Sequence, residues 1–387
     1  MNPSLRFTLF ILGFSVVLAL GSLYMGSRAA TWLRWSEKHR KKVWWFTAVF
    51  VVLETACFVF HRANPALFSQ IIVVYWLTYI IVGLFASMLF YTVLVDVGLP
   101  LWKSLRKPSP QRVVDIERRS FLAIGTVSVT STVVGGVQAV TGPTVYEVDI
   151  PLKNLPKEFD GFRIVQITDL HVGPTIGKSY TEKVVAMANS LKPDLVALTG
   201  DFVDGTVPQL RDDVSPLKHL SAEHGVFYTT GNHEYMWGAE EWIDEFKRLG
   251  ARVLLNEHVL IHKNGQQIVL AGVNDFSADK VIPSHASSPS KAIQGAPTDK
   301  VKILLAHQPK SYEEAYKAGF DLQLSGHTHG GQFFPFNLLV ALIHRYYKGL
   351  NKHENMWVYV SRGTGYWGPP LRFGVPTEIT LIRLRQG

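Results

Sequence analysis

Between residues 169 and 332, five short blocks hold residue types that bind metal ions. They are Asp169-Leu170-His171, Gly200-Asp201-Phe202-Val203-Asp204, Gly231-Asn232-His233-Glu234, the isolated His307, and Gly326-His327-Thr328-His329-Gly330-Gly331-Gln332. Carboxylate and amide oxygens mixed with imidazoles suit Zn, Mn or Fe. The single cysteine, Cys57, excludes a thiolate cluster and an intramolecular disulfide. Singly, most blocks have plainer readings. An Asp-x-His at a strand end is often a turn, Gly-Asp and Gly-Asn pairs suit tight turns, and a lone histidine is more often structural than ligating. His327-Thr328-His329 between glycines resists that reading. The five together, in this order and each after a predicted strand, point to one site. Two ions about 3.5–4 Å apart need a carboxylate to bridge them and ligands from several strands.

The elements that must position these residues are legible as alternation. Phe162–Thr168, Leu195–Thr199, Val226–Thr230, Ile268–Val273, Ile303–Ala306 and Leu322–Ser325 read as strands. Tyr180–Leu191, Val214–Leu220, Glu240–Leu249 and Ser311–Ala318 read as helices, and Met356–Leu384 as β-rich. Strands buried on both faces and alternating with helices predict a layered α/β sheet. Ligands in such sheets gather outside the carboxyl ends of the strands, where the five blocks fall. Ser284–Thr298, rich in Ser, Pro, Ala and Gly, reads as a surface loop.

The remainder is of another kind. The chain has 387 residues, 47% of them hydrophobic, and a net charge of +8. Residues 1–143 carry 14 Lys/Arg and 5 Asp/Glu, a balance of +9; residues 144–387 carry 25 and 26, a balance of −1. A nucleic-acid binder would place the excess on its soluble domain, so no nucleic-acid partner is expected. Apolar segments at about 7–27, 43–60, 71–95 and 120–140 predict transmembrane helices in an anchor region, 1–143, with the catalytic domain in 144–387. The loops between them hold six, one and six Lys/Arg, with only Arg6 before the first. Basic loops stay in the cytoplasm, so this alternation predicts a multi-pass inner- or plasma-membrane protein whose catalytic domain is extracytoplasmic. Glu117-Arg118-Arg119-Ser120-Phe121-Leu122 resembles a twin-arginine export signal, or serves as a plain topology anchor; an uncleaved anchor is expected. Glu54, an intramembrane carboxylate, is a functional candidate by position, with a structural role favoured because no second polar residue marks a pathway.

All five blocks fit the pattern D-x-H, G-D-x-x-D, G-N-H-E, H and G-H-x-H, and residues 160–384 resemble the calcineurin-like metallophosphoesterase family. Within it, the Gly326–Gln332 block and the stretches Ser361–Gly365 and Pro376–Ile379 are similar to the membrane-anchored or twin-arginine-exported bacterial branch. The resemblance implies a four-layer α/β/β/α sandwich behind the transmembrane bundle. It implies two divalent or transition-metal ions, Mn, Zn or Fe. Asp169, His171 and His329 hold one, Asn232, His307 and His327 the other, and Asp201 bridges them. It assigns His233 no metal and places it beside the leaving group as proton donor or charge stabiliser; Asp204 could orient a ligand.

The activity implied is a metal-dependent phosphoesterase cleaving a phosphomonoester, phosphodiester or pyrophosphate bond through a hydroxide shared by the ions. Anchoring favours a substrate at the membrane surface, lipid-linked or part of the cell envelope. A UDP-diacylglucosamine-type pyrophosphate hydrolase of lipid A synthesis ranks second, because nucleotide-linked precursors are cytoplasmic. A sensor or transport protein and a non-catalytic scaffold are the rivals from other classes. Arg362 and Arg372 could bind phosphate or a sugar acid, or form surface ion pairs. Phe333, Phe334, Phe336, Tyr346, Tyr347, Tyr366 and Trp367 could line a substrate groove or cover the sheet.

Overall fold

The computed structural model describes residues 3–63, 72–106 and 110–387, and the chain divides into two compact units, Met1–Gly136 and Val137–Gly387. Helices α1 (Pro3–Trp32), α2 (Glu37–Ala63), α3 (Ile72–Arg106) and α4 (Pro110–Thr141) account for the N-terminal region. Each predicted apolar segment lies inside one of these longer helices, apart from Ile71 and the Phe58 side chain, which lie outside the described residues. Among the described residues, three helical stretches are long and apolar enough to cross a membrane: Ile11–Trp32, Ile72–Arg106 and Val114–Thr141.

Their burial pattern is the reverse of a water-soluble domain's. Thr47, Glu54, Thr78, Ser87, Thr92 and Ser131 are buried, while Leu20, Val73, Val97, Leu101 and Leu122 face outward. Hydrocarbon as solvent selects this arrangement: aliphatic side chains lose nothing by facing it, and small or polar residues gather between helices. The Ser15 hydroxyl meets that of Thr55 at 2.8 Å, joining α1 to α2, and Asp96 of α3 accepts hydrogen bonds from Tyr24 and Arg28 of α1. Lys103 pairs with Glu117 at 3.1 Å, joining α3 to α4.

The second unit is built on two six-stranded sheets. One has the order β1-β12-β2-β3-β4-β5 and the other β10-β11-β9-β8-β7-β6. The first contains β1 (Thr144–Leu152), β2 (Arg163–Ile167), β3 (Leu195–Thr199), β4 (Val226–Thr229), β5 (Arg252–Val253) and β12 (Glu378–Gln386). The second contains β6 (Glu257–Lys263), β7 (Gln266–Gly272), β8 (Lys302–Leu305), β9 (Leu322–Ser325), β10 (Gly349–His353) and β11 (Met356–Val360). Strands β2 to β5 are mutually parallel, as are β7, β8, β9 and β11.

Strand alternation dictates the layering. Ile164, Leu195, Ala197 and Phe227 from one sheet share a buried cluster with Ile268, Leu270, Ile303, Leu305 and Leu322 from the other. Ala271, Leu304 and Ala306 point the other way, onto Ala315 and Phe320 in and after helix α10. On the outer face of the first sheet, Val196 and Leu198 are equally buried. The strands therefore read as near-continuous apolar runs, because both faces are covered. Each fully buried Leu or Ile contributes about 1.5–3 kcal/mol. Polar links also cross the core: Gln166 Nε2 donates to Thr199 Oγ1 at 2.8 Å within its own sheet and to the Ser325 carbonyl of the other at 3.1 Å, and the Tyr359 hydroxyl donates to Glu378 at 2.8 Å.

The covering helices are α5 (Lys178–Ser190), α6 (Val207–Val214), α7 (Asn232–Trp237), α8 (Ala239–Arg248), α9 (Pro289–Ala292), α10 (Tyr312–Lys317) and α11 (Phe336–Ile343). One expected helix is displaced. The helix predicted over Val214–Leu220 instead starts at Val207, where Thr206 and Gln209 form a capping box with Pro208 in the first turn, and Ser215–His219 is 3-10 helix. That cap was the stronger start signal. Short strand β5, edge strands β1, β6 and β10, and helices α7, α9 and α11 were not anticipated; α9 lies within the predicted surface loop Ser284–Thr298.

Trp242 of α8 is fully buried, and its indole N–H donates to the Gly205 carbonyl at 3.0 Å, just beyond Asp204. Trp242→Ala is expected to cost about 3–5 kcal/mol through the cavity it leaves. Trp242→Phe should cost roughly 1 kcal/mol, that of the hydrogen bond. Thermal unfolding midpoints of the full chain in detergent check this; equal midpoints for the two variants would contradict the packing role.

Candidate metal centre

The C-terminal ends of β2, β3, β4, β8 and β9 carry the five blocks to one rim. To aim side chains inward there, the chain leaves each strand abruptly. Asp169, His171, Asp201, His327 and His329 all adopt left-handed backbone conformations, with φ of 52°, 52°, 55°, 71° and 51°. For residues with a Cβ this costs on the order of 1 kcal/mol each, and such residues cluster at functional sites. The flanking glycines answer a different need, close approach. A Cβ on Gly326 would lie 2.0 Å from Asp169 Oδ2, and one on Gly231 2.2 Å from Asp201 Oδ1. Only glycine lets the carboxylates come this near neighbouring backbone.

Glu234 holds the turns in register. It is fully buried, and its carboxylate accepts the backbone N–H groups of Asp201 at 3.0 Å, Phe202 at 2.7 Å and Gly231 at 2.7 Å. One side chain thus satisfies three donors from two strand ends. Similarly, Asp169 accepts the N–H of His327 at 2.9 Å, tying β2 to β9 across the two sheets.

The ring nitrogens and carboxylate oxygens then converge. Three groups have donor atoms close enough to share an ion: Asp169, His171 and His329; His171, Asp201 and His233; and Asp201, His307 and His327. His171 Nε2 lies 3.0 Å from His329 Nε2, and His329 Nε2 lies 3.4 Å from Asp169 Oδ1. His307 Nε2 is 2.9 Å from Asp201 Oδ2, and His327 Nδ1 is 3.3 Å from His307 Nε2. The outer nitrogens of two rings are already engaged. His307 Nδ1 meets the Thr199 carbonyl at 2.8 Å, and His171 Nδ1 meets Asp204 at 3.2 Å. Such partners fix the tautomer so that Nε2 faces the centre with a lone pair. Asn232 Oδ1 is buried with no hydrogen-bond partner. Imidazole lone pairs facing one another, buried carboxylates and an orphaned amide oxygen fit divalent cations of the borderline type.

The electrostatics agree. Burial pushes the Asp169 carboxyl up, and Asp201 adds to the shift. Burial also acts against charge on Asp201 and Asp204, but neighbouring imidazoles outweigh it and hold both low. Burial opposes charge on His233 too, yet Asp201 and Asp204 push it up to about 9. His233 differs in geometry from the other histidines. Its Nδ1 lies 2.5 Å from Asp204 Oδ1, while its Nε2 stands 3.9 Å from Asp201 Oδ2. Asp204 therefore grips His171 and His233 together, one carboxylate oxygen each.

Two sequence readings change. Arg372 is neither at the surface nor open to a substrate. It is fully buried and donates to the carbonyls of His329 (3.1 Å), Arg362 (2.8 Å) and Gly365, with Nη2 also 2.8 Å from His329 Nδ1. Arg362 pairs with the buried Glu378. The signal was weak, since an arginine forty residues from its partner looks like any surface arginine. The aromatic residues divide: Phe333, Tyr346 and Tyr366 are buried, whereas Phe336 and Trp367 are about half exposed. The Trp367 ring lies 5.9 Å from that of His233, at the mouth of the site.

Two facing sheets, flanking helices and an Asp/His/Asn centre on their shared rim define a metallophosphoesterase. Residues 162–331 match the family described as calcineurin-like phosphoesterase. Over almost its full length the chain resembles a transmembrane protein with metallophosphoesterase domain from Danio rerio, at 33% identity over 97% of this chain and 89% of the relative. The Bos taurus protein of that description is 34% identical over 95% and 87%. A Helicobacter pylori metallophosphoesterase is 41% identical over 65% of this chain and 66% of its own. The chain belongs to the calcineurin-like metallophosphoesterase family, and its likeness to the two vertebrate proteins takes in the membrane region.

Asp201 serves two of the three donor groups outright, whereas His233 has its Nδ1 committed to Asp204. Asp201→Ala is expected to lose both bound metal and turnover. His233→Ala should keep near-normal metal content and lose turnover by about 10²–10⁴-fold, as for a general acid. Metal analysis beside a chromogenic phosphodiester assay checks this; equal metal loss in the two variants would mean that His233 is a ligand.

Proposed function

We propose that this chain is a membrane-anchored, metal-dependent phosphoesterase that hydrolyses a phosphomonoester, phosphodiester or pyrophosphate bond in a lipid or cell-envelope substrate. The observation that carries the reading is the convergence of six ligand-type side chains, together with the orphaned Asn232 amide oxygen and with His233, in a chain that also bears long apolar helices. Asp169, His171 and His329 would hold one ion, Asn232, His307 and His327 a second, with Asp201 shared. When bound, such ions lower the pKa of water toward neutrality and neutralise phosphoryl charge.

The chain's own residues supply the rest. Asp204 accepts at His233 Nδ1 and fixes the ring, and Asp201 and Asp204 together favour its protonated form, in which Nε2 carries a proton. As the phosphorus–oxygen bond breaks, that proton passes to the departing oxygen, which leaves as an alcohol or a protonated phosphate. Glu234 and Arg372 do not reach the reacting atoms; they hold the ligand-bearing turns against displacement. Half-exposed Trp367 stands where a substrate's leaving group would lie against His233.

Incubation with a chelator is expected to abolish hydrolysis of a chromogenic phosphodiester, and Mn or Zn should restore it. Full activity in a demonstrably metal-free sample would remove the mechanism.

The loop charges motivate the placement of the domain outside the cytoplasm. A Cys57→Ser background allows single cysteines to report it. Ser36 is exposed in the first basic loop, and Ser290 is exposed on the catalytic domain; the nearby Ser287 hydroxyl is buried and would label poorly. With a membrane-impermeant maleimide on intact cells or spheroplasts, Ser290→Cys should label at once and Ser36→Cys only after lysis. The reverse pattern would place the site in the cytoplasm and move nucleotide-linked lipid precursors to first place.

A further inference from the structure

Helix α11, Phe336–Ile343, breaks the surface rule of the domain that carries it. Its sequence is Phe-Asn-Leu-Leu-Val-Ala-Leu-Ile, and none of its residues is buried. Leu342 is 84% exposed and Ile343 72%, with Phe336, Leu338 and Leu339 each about half exposed. A helix apolar on every side is normally enclosed by protein or by lipid. Water-soluble domains rarely leave such a patch open without a partner for it.

Three observations select a bilayer surface as that partner. First, the tether is short. Only Gly142 and Pro143 separate the end of the apolar helix α4 from β1, a reach of roughly 7 Å. Second, the helix is edged by groups that suit headgroups. Arg345 and Lys348 are exposed just past its end, and Lys348 lies over the half-buried Tyr347 ring at 5.2 Å, giving a basic border with one aromatic ring to an apolar centre. That combination characterises segments lying in the membrane interface. Third, both ends of the helix are fastened to the metal-ligand block. At its start, Asn337 N–H donates to the Phe333 carbonyl at 3.0 Å and the Phe333 and Phe336 rings stack at 6.0 Å. Beyond its end, the Thr328 hydroxyl donates to the Tyr347 carbonyl at 2.6 Å, and the His344 ring stands 6.3 Å from that of His327.

We propose that α11 is an interfacial helix that sinks its apolar side chains into the bilayer surface and holds the mouth of the metal centre at headgroup depth. The lipid contact stands independently of the reaction. Its consequence, a substrate whose phosphate is carried at headgroup depth, rests on the phosphoesterase reading above.

The test uses the full-length chain, Cys57→Ser, in nanodiscs of phosphatidylethanolamine and phosphatidylglycerol. An environment-sensitive NBD label is placed at Leu342→Cys and, for comparison, at Ser290→Cys; thermal midpoints matching that of the unlabelled chain confirm that each is folded. At Leu342 the emission should shift to the blue of that at Ser290 and lose most of its intensity when lipids with nitroxides near the headgroup are included. Ser290 should show neither change. Unshifted, unquenched emission at Leu342 would place the helix in water and overturn the proposal. Shifted emission that lipid nitroxides do not quench would mean that protein covers α11, either this chain's own helices or a second copy, and would overturn it equally. Quenching at Leu342 in a chain that cleaves a soluble phosphodiester but no vesicle-borne phosphate would keep the membrane contact and sink the lipid-substrate reading instead.

Discussion

The catalytic unit depends on bringing three carboxylates, Asp169, Asp201 and Glu234, into one buried rim without leaving any of them unanswered. Burying an isolated carboxylate is prohibitive, and like charges so close repel. The chain resolves this by giving each a different partner set. Glu234 takes three backbone N–H groups, Asp169 takes the N–H of His327, and Asp201 faces His307. The left-handed turns and the glycines of the five blocks follow from this need. They bring backbone donors to the carboxylates and imidazoles to one point, an arrangement able to hold divalent cations.

The same logic explains why the supporting residues lie so far apart in the chain. A ligand ring is useful only if its outer nitrogen is held, since an unfixed imidazole can rotate or change tautomer. Thr199 and Asp204 provide this hold by accepting at Nδ1, whereas Arg372, a donor only, holds the His329 turn through its backbone carbonyl. Asp204 takes two rings at once, so His171 and His233 cannot shift independently.

Two solvents shaped the two units. In residues 1–136, hydroxyls and small side chains are buried and aliphatic residues face out; in the catalytic unit, aliphatic residues fill the space between the sheets. Helix α11 is the place where the catalytic unit adopts the membrane unit's rule, and it lies beside the ligand block.

The blocks of metal-binding residues, their place at strand ends and the alternation of strand and helix were legible in the sequence, because these depend on local spacing. Leu195–Thr199 and Leu322–Ser325 match their strands residue for residue, since buried parallel strands are apolar throughout and end where a polar block begins. The apolar helices were legible too, because hydrocarbon tolerates few charges over a span's length. The edge strands β1, β6 and β10 were not, since half-covered strands carry mixed polarity. Helix α11 was submerged among aromatic residues that read equally as core or groove. The roles of Glu234 and Arg372 were decided by tertiary structure alone. Some of their partners are near in the chain, Gly231 for Glu234 and Gly365 for Arg372, but Asp201 and Phe202 lie on another strand end and His329 lies 43 residues away, and those distant groups are what the fold alone brings against them.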